Sequence, residues 1–401
     1  KGWWNDMKIR GSYGSLGNQV MDDLGNFPYL ATYGTNSSYN YLINGSKPVI
    51  VKAPGLVAPD FTWETVTQMD FGFDASFLNN RLTGTFDWYR RNTKDMLVAG
   101  ATLPATLGAS VPKSNSADMK TIGWELSLGW NDRLENGFSY WVKGVLSDYQ
   151  ATITKYAGND AGFYSQSDGD GKYYVGQKIG EIWGYHSNGL FQSDDEAATI
   201  DQSELYAGKW GAGDVKYEDL DNDGKITKGE ETIYNPGDKS IIGNKTPRYQ
   251  FGITVGFDYK NFDFEMFWQG TGKRDYMLSG AQFWGFTSQW DVPYTPALDY
   301  WTETNTDAYF PRPGWQNGGN RVTSDRYLQS AAYGRLKNLT VGYTIPKNLT
   351  TKWGISRLRL YVTGENLLTI TPLNDAFDPE TLGGMTYPIN RKVAIGLNLT
   401  L

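Results

Sequence analysis

An antiparallel transmembrane β-barrel is the architecture written into this chain, and three observations point to it. Strand-like segments alternate apolar and polar residues. They come in hairpins joined by short turns, and the hairpins are linked by long polar connections. A strand has period two, so each segment presents one apolar and one polar face. In a barrel the polar face lines the lumen, so a mean hydropathy of −0.51 suits a membrane wall as well as a water-soluble chain.

The elements follow in order. Met7 to Tyr13 reads as a first strand. A hairpin runs from Gln68 to Arg90: Met69, Phe71, Phe73 and Phe77 alternate with Asp70, Asp74 and Ser76, Asn79-Asn80 turn the chain, and Leu82, Phe86 and Trp88 return. Asn tolerates the left-handed backbone that such turns need. Arg90 to Lys120 is a polar connection. Ile122, Trp124, Leu126, Leu128 and Trp130 begin the next hairpin, and Phe138, Tyr140, Val142 and Leu146 close it. The region 147–246 is the longest connection. Phe251, Ile253, Val255, Phe257 and Tyr259 then share a face, Lys260-Asn261 turn, and Phe262, Phe264, Met266 and Trp268 share the facing row. After the aromatic connection 269–334, Leu339, Val341, Tyr343 and Ile345 pair through Pro346–Ser356 with Leu358, Leu360 and Val362. The last strand carries Val393, Ile395, Leu397, Leu399 and Leu401 on one face. This makes roughly ten strands, with short turns on one side (periplasmic) and long loops on the other (extracellular). Trp88, Trp124, Trp130 and Trp268 near strand ends suit an interfacial girdle.

Composition excludes several function classes. No run of about 20 apolar residues exists, so no transmembrane helix is expected. The chain has no Cys and one His among its 401 residues. Disulfides, thiolate metal sites and a cysteine nucleophile are excluded, and a multi-His metal site or a Ser-His-Asp site is disfavoured. A net charge of −7 leaves no footprint for nucleic acid. Glu64, Glu125 and Glu265 fall at polar strand positions, where a lumen face accounts for them, and no catalytic role is expected for any residue. No secretory leader is visible at Lys1–Asp6, so the expectation is a mature form or a C-terminal portion of a longer chain.

One segment carries a spacing code. Asp219-Leu220-Asp221-Asn222-Asp223-Gly224-Lys225-Ile226-Thr227-Lys228-Gly229-Glu230 fits the calcium-loop pattern D-x-[DN]-x-[DN]-G-x5-E. Asp219, Asp221 and Asp223, the Lys225 carbonyl and Glu230 would supply the oxygens of a structural Ca²⁺ site at 219–230, and Gly224 permits the sharp turn. The bland reading is a solvated acidic turn. Trp183, Trp284, Trp290, Tyr294, Trp301 and Trp315 lie in the long loops. Of these, Trp284, Trp290, Tyr294 and Trp315 are candidate ligand contacts, with loop packing as the alternative. His186 reads as a packing residue at a loop base.

The strand sequences also resemble a known family. Tyr333-Gly334-Arg335-Leu336-Lys337-Asn338-Leu339-Thr340-Val341-Gly342-Tyr343-Thr344-Ile345-Pro346 is similar to the corresponding segment of SusC/RagA-type TonB-dependent outer-membrane transporters of Bacteroidetes. So are Arg357 to Leu367, Asp378-Pro379-Glu380, Tyr387-Pro388 and the closing Gly396 to Leu401. Upstream, Arg10 to Gly14, Gly17-Asn18-Gln19, Trp63-Glu64 and Tyr89 to Asp95 fit in the same order. The acidic loop follows Gly213-Asp214-Val215-Lys216-Tyr217, a lead the family shares. The chain departs at Leu401, where the family commonly ends in Phe, and Leu keeps the apolar character.

The resemblance implies a barrel of about 22 strands around an N-terminal plug, of which this chain would be the C-terminal part, residues 1–401, the plug lying outside it. It implies import of oligosaccharides, or of peptides, across the bacterial outer membrane. The implied partners are a SusD-like surface lipoprotein and TonB, which would be reached through the upstream region, with pairs of transporter and lipoprotein able to dimerise. Two other classes remain: a passive porin or adhesin barrel, and a soluble glycan-binding or glycan-cleaving β protein.

Overall fold

The chain is described by a computed structural model covering residues 3–401 apart from 19–26, 28, 37–41, 53, 60, 100–103, 105, 107, 109–110, 158, 160–161, 164–172, 315–316 and 383–386. Ten strands make one antiparallel sheet in chain order: β1 (Trp4–Asn18), β2 (Glu64–Phe77), β3 (Leu82–Ala99), β4 (Lys113–Arg133), β5 (Ser139–Tyr156), β6 (Arg248–Tyr259), β7 (Phe262–Lys273), β8 (Tyr333–Thr344), β9 (Arg357–Ile370) and β10 (Lys392–Thr400). The expected strand number and pairing order hold.

The ladder fixes the two faces. Phe73, Phe86, Leu126, Leu146 and Phe251 are register partners from β2 to β6 on the apolar face. Lys8, Asp74, Thr85, Ser127 and Val145 form a neighbouring row on the opposite face. Turns at 78–81, 134–138, 260–261 and 345–356 lie at one end. At the first, Leu78, Asn79 and Asn80 all take positive φ (55°, 60° and 64°), which Asn accepts at low cost. An aromatic girdle rings this end. Phe138 stacks on Phe257 with ring centroids 5.5 Å apart, Phe257 on Phe264 at 5.1 Å, and Phe262 meets Tyr343 at 4.7 Å.

Two connections are shorter than the hydropathy pattern suggests. β3 continues to Ala99, β4 starts at Lys113, and β5 runs to Tyr156, so the connection expected at 147 begins after Tyr156. The reason is physical: these outer strand halves carry polar residues on both faces, so no alternation marks them, while backbone pairing continues regardless of side-chain polarity.

On the inward face, glycines let large rings lie flat against the wall. A Cβ on Gly256 would come 2.2 Å from the Trp141 ring, and one on Gly396 would come 2.3 Å from the Tyr361 ring. The wall is open: β1 and β10 are its edges.

The hydrophobic core lies above the sheet. Connections 157–247, 274–332 and 371–391 share one buried cluster that includes Tyr217, Ile226, Phe283, Phe310, Tyr327 and Phe377. Phe283 and Trp284 meet edge-to-face at 5.0 Å, and Trp284 and Tyr327 at 4.6 Å, geometries that favour aromatic pairs. The three loops therefore form one packed body at the long-connection end.

Candidate functional site

Polar groups lock this loop body together. Asp214 is fully buried and accepts from Gly211 N at 2.9 Å, from Asn320 Nδ2 at 2.8 Å, and from Arg312 Nε and Nη2. Gln202 bridges the Val215 carbonyl and the Tyr217 N–H, and the Tyr217 hydroxyl donates to the Gly319 carbonyl at 2.7 Å. Buried polar groups need such partners to offset their lost hydration. His186 joins two connections as well: Nδ1 lies 2.7 Å from Asp325 and Nε2 lies 2.6 Å from Ser240 Oγ. The sequence marks His186 as a packing residue; its partners Asp325 and Ser240 are distant in sequence and leave no local signal. The β9–β10 connection is tied to the wall by Arg335, nearly buried, with Asp378 at 2.6 Å and Glu380 at 3.2 Å, and by Lys337 with Glu380 at 3.0 Å.

The acidic loop folds into nested turns. Asp219 accepts from the backbone N–H groups of Asn222, Asp223 and Gly224, Asp221 from Asp223, and Asp223 from Lys225. Among the described residues, Asp219, Asp221 and Asp238 bring carboxylate oxygens within 4.8 Å of one another. Asp223 and Glu230 are outside this trio. Residues 228–237 make a side excursion pinched where Gly229 and Gly237 abut. The chain then re-enters through Asp238, whose N–H donates to the Thr227 carbonyl and whose carboxylate accepts from Leu220 and Thr227. Asp238 thus brings a carboxylate to the loop from outside the twelve-residue motif, where a fixed-spacing pattern does not reach. Burial pushes the Asp219 carboxyl up, but the N–H groups of Gly224, Asn222 and Asp223 outweigh it and hold it below the usual range. Asp221 is pushed up by burial and by the like charges of Asp223, Asp238 and Asp219. Converging carboxylates of this kind suit a hard cation.

The aromatic candidates separate. Trp284 is only 8% exposed and packs in the core of the loop body. Trp183 stacks on Phe163 at 4.2 Å, and Trp301 packs against the core. Trp290 is 83% exposed and Tyr294 44%, with Val292 and Leu298 beside them in the same loop also exposed. Trp315 lies outside the described residues.

On the inward wall, Arg10 bridges Asp74 and Asp87, each at 2.9 Å, and Arg359 pairs with Asp263. Beside that pair a bay of about 610 Å³ is lined by Trp141, Lys260, Glu265, Thr340 and Arg357. Glu125 and Glu265 face inward by register, and Glu64 is held at the wall's outer end by the Leu97 N–H.

A family model described as "TonB dependent receptor-like, beta-barrel" matches residues 3–367. The chain is similar to TonB-dependent receptor P3 of Formosa agariphila, 29% identical over 98% of this chain and 39% of that relative. It is similar to TonB-dependent receptor SusC of Bacteroides thetaiotaomicron, 26% identical over 98% of this chain and 37% of that relative. Among solved structures it is similar in fold to the RagAB peptide transporter, with a TM-score of 0.75 and 22% identity over 100% of this chain and 41% of that one. The chain spans about two fifths of the length of these relatives.

Proposed function

Because the chain belongs to the TonB-dependent receptor-like β-barrel family of the bacterial outer membrane, we propose that it is the C-terminal part of the barrel of a TonB-dependent nutrient importer. The observation that carries this reading is the packed extracellular body, three loops sharing one core, on a wall whose inward face is polar. A passive pore has no need of such a body at its mouth. An importer that captures ligand outside and releases it through a plugged lumen does.

In this reading the loop body, together with a SusD-like surface lipoprotein, encloses an oligosaccharide. TonB then draws energy from the inner membrane to open the plug, which belongs to the rest of the protein. The exposed face of Trp290, Val292, Tyr294 and Leu298 is the partner or ligand surface. Flat aromatic rings suit sugar faces, which favours oligosaccharide. Peptide is the alternative, supported by the fold shared with the RagAB peptide transporter. The chain's own residues do no bond chemistry here: they bind, enclose and guide.

The test is uptake by cells carrying the full-length protein. Oligosaccharide-supported growth that disappears when the gene or TonB is deleted supports the reading. Growth lost with the gene but indifferent to TonB favours a passive barrel, and loss of peptide uptake alone favours the alternative substrate. We also propose a structural Ca²⁺ held by Asp219, Asp221 and Asp238. It would relieve the mutual repulsion of the three carboxylates and pin the long β5–β6 connection.

A further inference from the structure

The register sorts the basic residues of β3 and β4 by face. Going up β3 on the lipid side from the short-turn end, the residues are Leu82, Gly84, Phe86, Trp88, Arg90, Asn92 and Lys94. On β4 the same face carries Trp130, Leu128, Leu126, Trp124, Ile122 and Lys120. Asn92 is the direct partner of Lys120 and Arg90 that of Ile122, so Arg90, Lys94 and Lys120 form a triangle on one patch of outer wall. From Leu82 to Arg90 the strand climbs about 26 Å along its axis, or about 20 Å of height at the usual barrel tilt. Lys94 stands about 10 Å higher on the same reckoning. An apolar band is about 25 Å tall, so the three cations straddle its extracellular rim, directly above Trp88 and Trp124.

Their charge outweighs that of the acid beside them, Asp118. Among the described residues, none of the three makes an ion pair. Arg90 Nε donates only to Asn92 Oδ1, at 3.3 Å. The carboxylates beside them in the ladder are Asp118, which accepts from the Asp95 N–H, and Asp148, which pairs with Arg248, so the patch keeps a net positive charge. The cluster is also local. At the same end of β8 and β9 the lipid-side positions are Gly334, Leu336, Leu368 and Ile370, and on β6 and β7 they are Phe251, Ile253, Trp268 and Gly270.

We propose that Arg90, Lys94 and Lys120 bind the phosphate-bearing headgroup of an outer-leaflet glycolipid. Charge complementarity and continuity with the lipid-facing band single out this occupant. The acyl chains would lie on Phe71, Trp88 and Ile122, while the long basic side chains reach up from the apolar band to the headgroup. The inference rests on the membrane placement of the wall and is independent of what the protein imports.

The experiment uses the full-length transporter, with any lipoprotein partner that co-purifies, in mild detergent. Monophosphoryl lipid A and its dephosphorylated counterpart are titrated and bound lipid is counted by native mass spectrometry. The expected result is preference for the phosphorylated lipid, reduced about tenfold or more in Arg90→Gln/Lys94→Gln/Lys120→Gln, since each basic residue near a membrane surface contributes measurably. Preference should survive in Arg90→Lys/Lys94→Arg/Lys120→Arg and in a control, Lys347→Gln/Lys352→Gln, on the periplasmic turn. Equal binding by the triple Gln variant, or equal affinity for both lipids, overturns the proposal. So does full displacement by inorganic phosphate, which would make this a free-anion site. Should the triple variant fail to assemble, judged by loss of its heat-sensitive gel mobility, Lys120→Gln alone carries the same comparison.

Discussion

Asp214 and Arg312 meet as a two-pronged ion pair inside the extracellular body, Arg312 donating from Nε at 3.0 Å and from Nη2 at 2.7 Å. The pair joins the β5–β6 connection to the β7–β8 connection, and Asp214 has no exposure at all. Removing Arg312 leaves a buried carboxylate with only Asn320 and one backbone N–H. Orphaning a buried ion costs about 3–5 kcal/mol, and partial exposure of the guanidinium discounts this to about 2–3 kcal/mol for Arg312→Ala. Hydrogen exchange should quicken in 181–246 and in 281–331 together. Faster exchange in one loop alone would sink the idea of a single body.

The acidic loop separates two carboxylates that a spacing pattern treats alike. Asp238→Asn should abolish the Ca²⁺-dependent protection of 213–244 from protease, and Glu230→Gln should leave it intact. Chelator should open the same segment in the parent protein. Digestion patterns identical with and without chelator would falsify the calcium proposal.

Acidification should loosen the loop body. Lys209 and the Ala212 N–H hold Asp194 below the carboxylate range, the Gln192 N–H and Lys216 do so for Glu196, and the Thr287 hydroxyl, against some burial, for Asp291. A depressed folded-state pKa contributes stability above the unfolded value, and that contribution is lost as pH falls through the folded one. The window therefore opens below about pH 4. Asp221, shifted the other way, offsets part of this. Tryptophan-detected melting should fall between pH 5 and pH 3, less steeply in Lys209→Ala. A melting point independent of pH over that range would contradict the assignment.

How much of this was legible in sequence depends on the kind of interaction. The wall was, because a lipid face and a lumen face impose a period of two that Phe251 to Trp268 display openly. Strand ends were not. Beyond the apolar band, Arg90 to Lys94 and Ser114 to Lys120 lose the alternation while the ladder continues. The acidic loop was half visible: Asp219 and Asp221 fall within a local motif, but Asp238 returns only after a side excursion that no fixed spacing describes. Trp284 and Trp290 are equally aromatic and close in sequence, yet one is core and the other surface. That difference is decided by tertiary packing with Phe310 and Tyr327, which a linear reading does not contain.

The two tryptophans give a paired prediction. Trp284→Ala removes a buried ring from an aromatic core and should cost about 3–5 kcal/mol, seen as early loss of the loop body in a denaturant titration. Trp290→Ala removes an 83% exposed ring and should leave stability within about 0.5 kcal/mol, while weakening capture of lipoprotein or ligand. Equal stability loss in both would place Trp290 in the core.

The wall offers the sharpest contrast, because two glycines in neighbouring strands face its opposite sides and differ in what lies over them. Gly256 on β6 sits beneath the Trp141 ring, with a built Cβ 2.2 Å from it. Gly256→Ala must lift the ring off the wall, a strain of about 1–3 kcal/mol, and pushes Trp141 into the lumen beside the bay lined by Glu265 and Thr340. Gly144 on β5 has nothing within 4 Å of its Cβ position, and Gly144→Ala faces lipid without strain. The temperature at which the full-length barrel loses its folded gel mobility should drop for Gly256→Ala and stay for Gly144→Ala. If both variants melt with the parent, Trp141 is free to move, and the flat packing of rings on glycine does not hold the wall in shape.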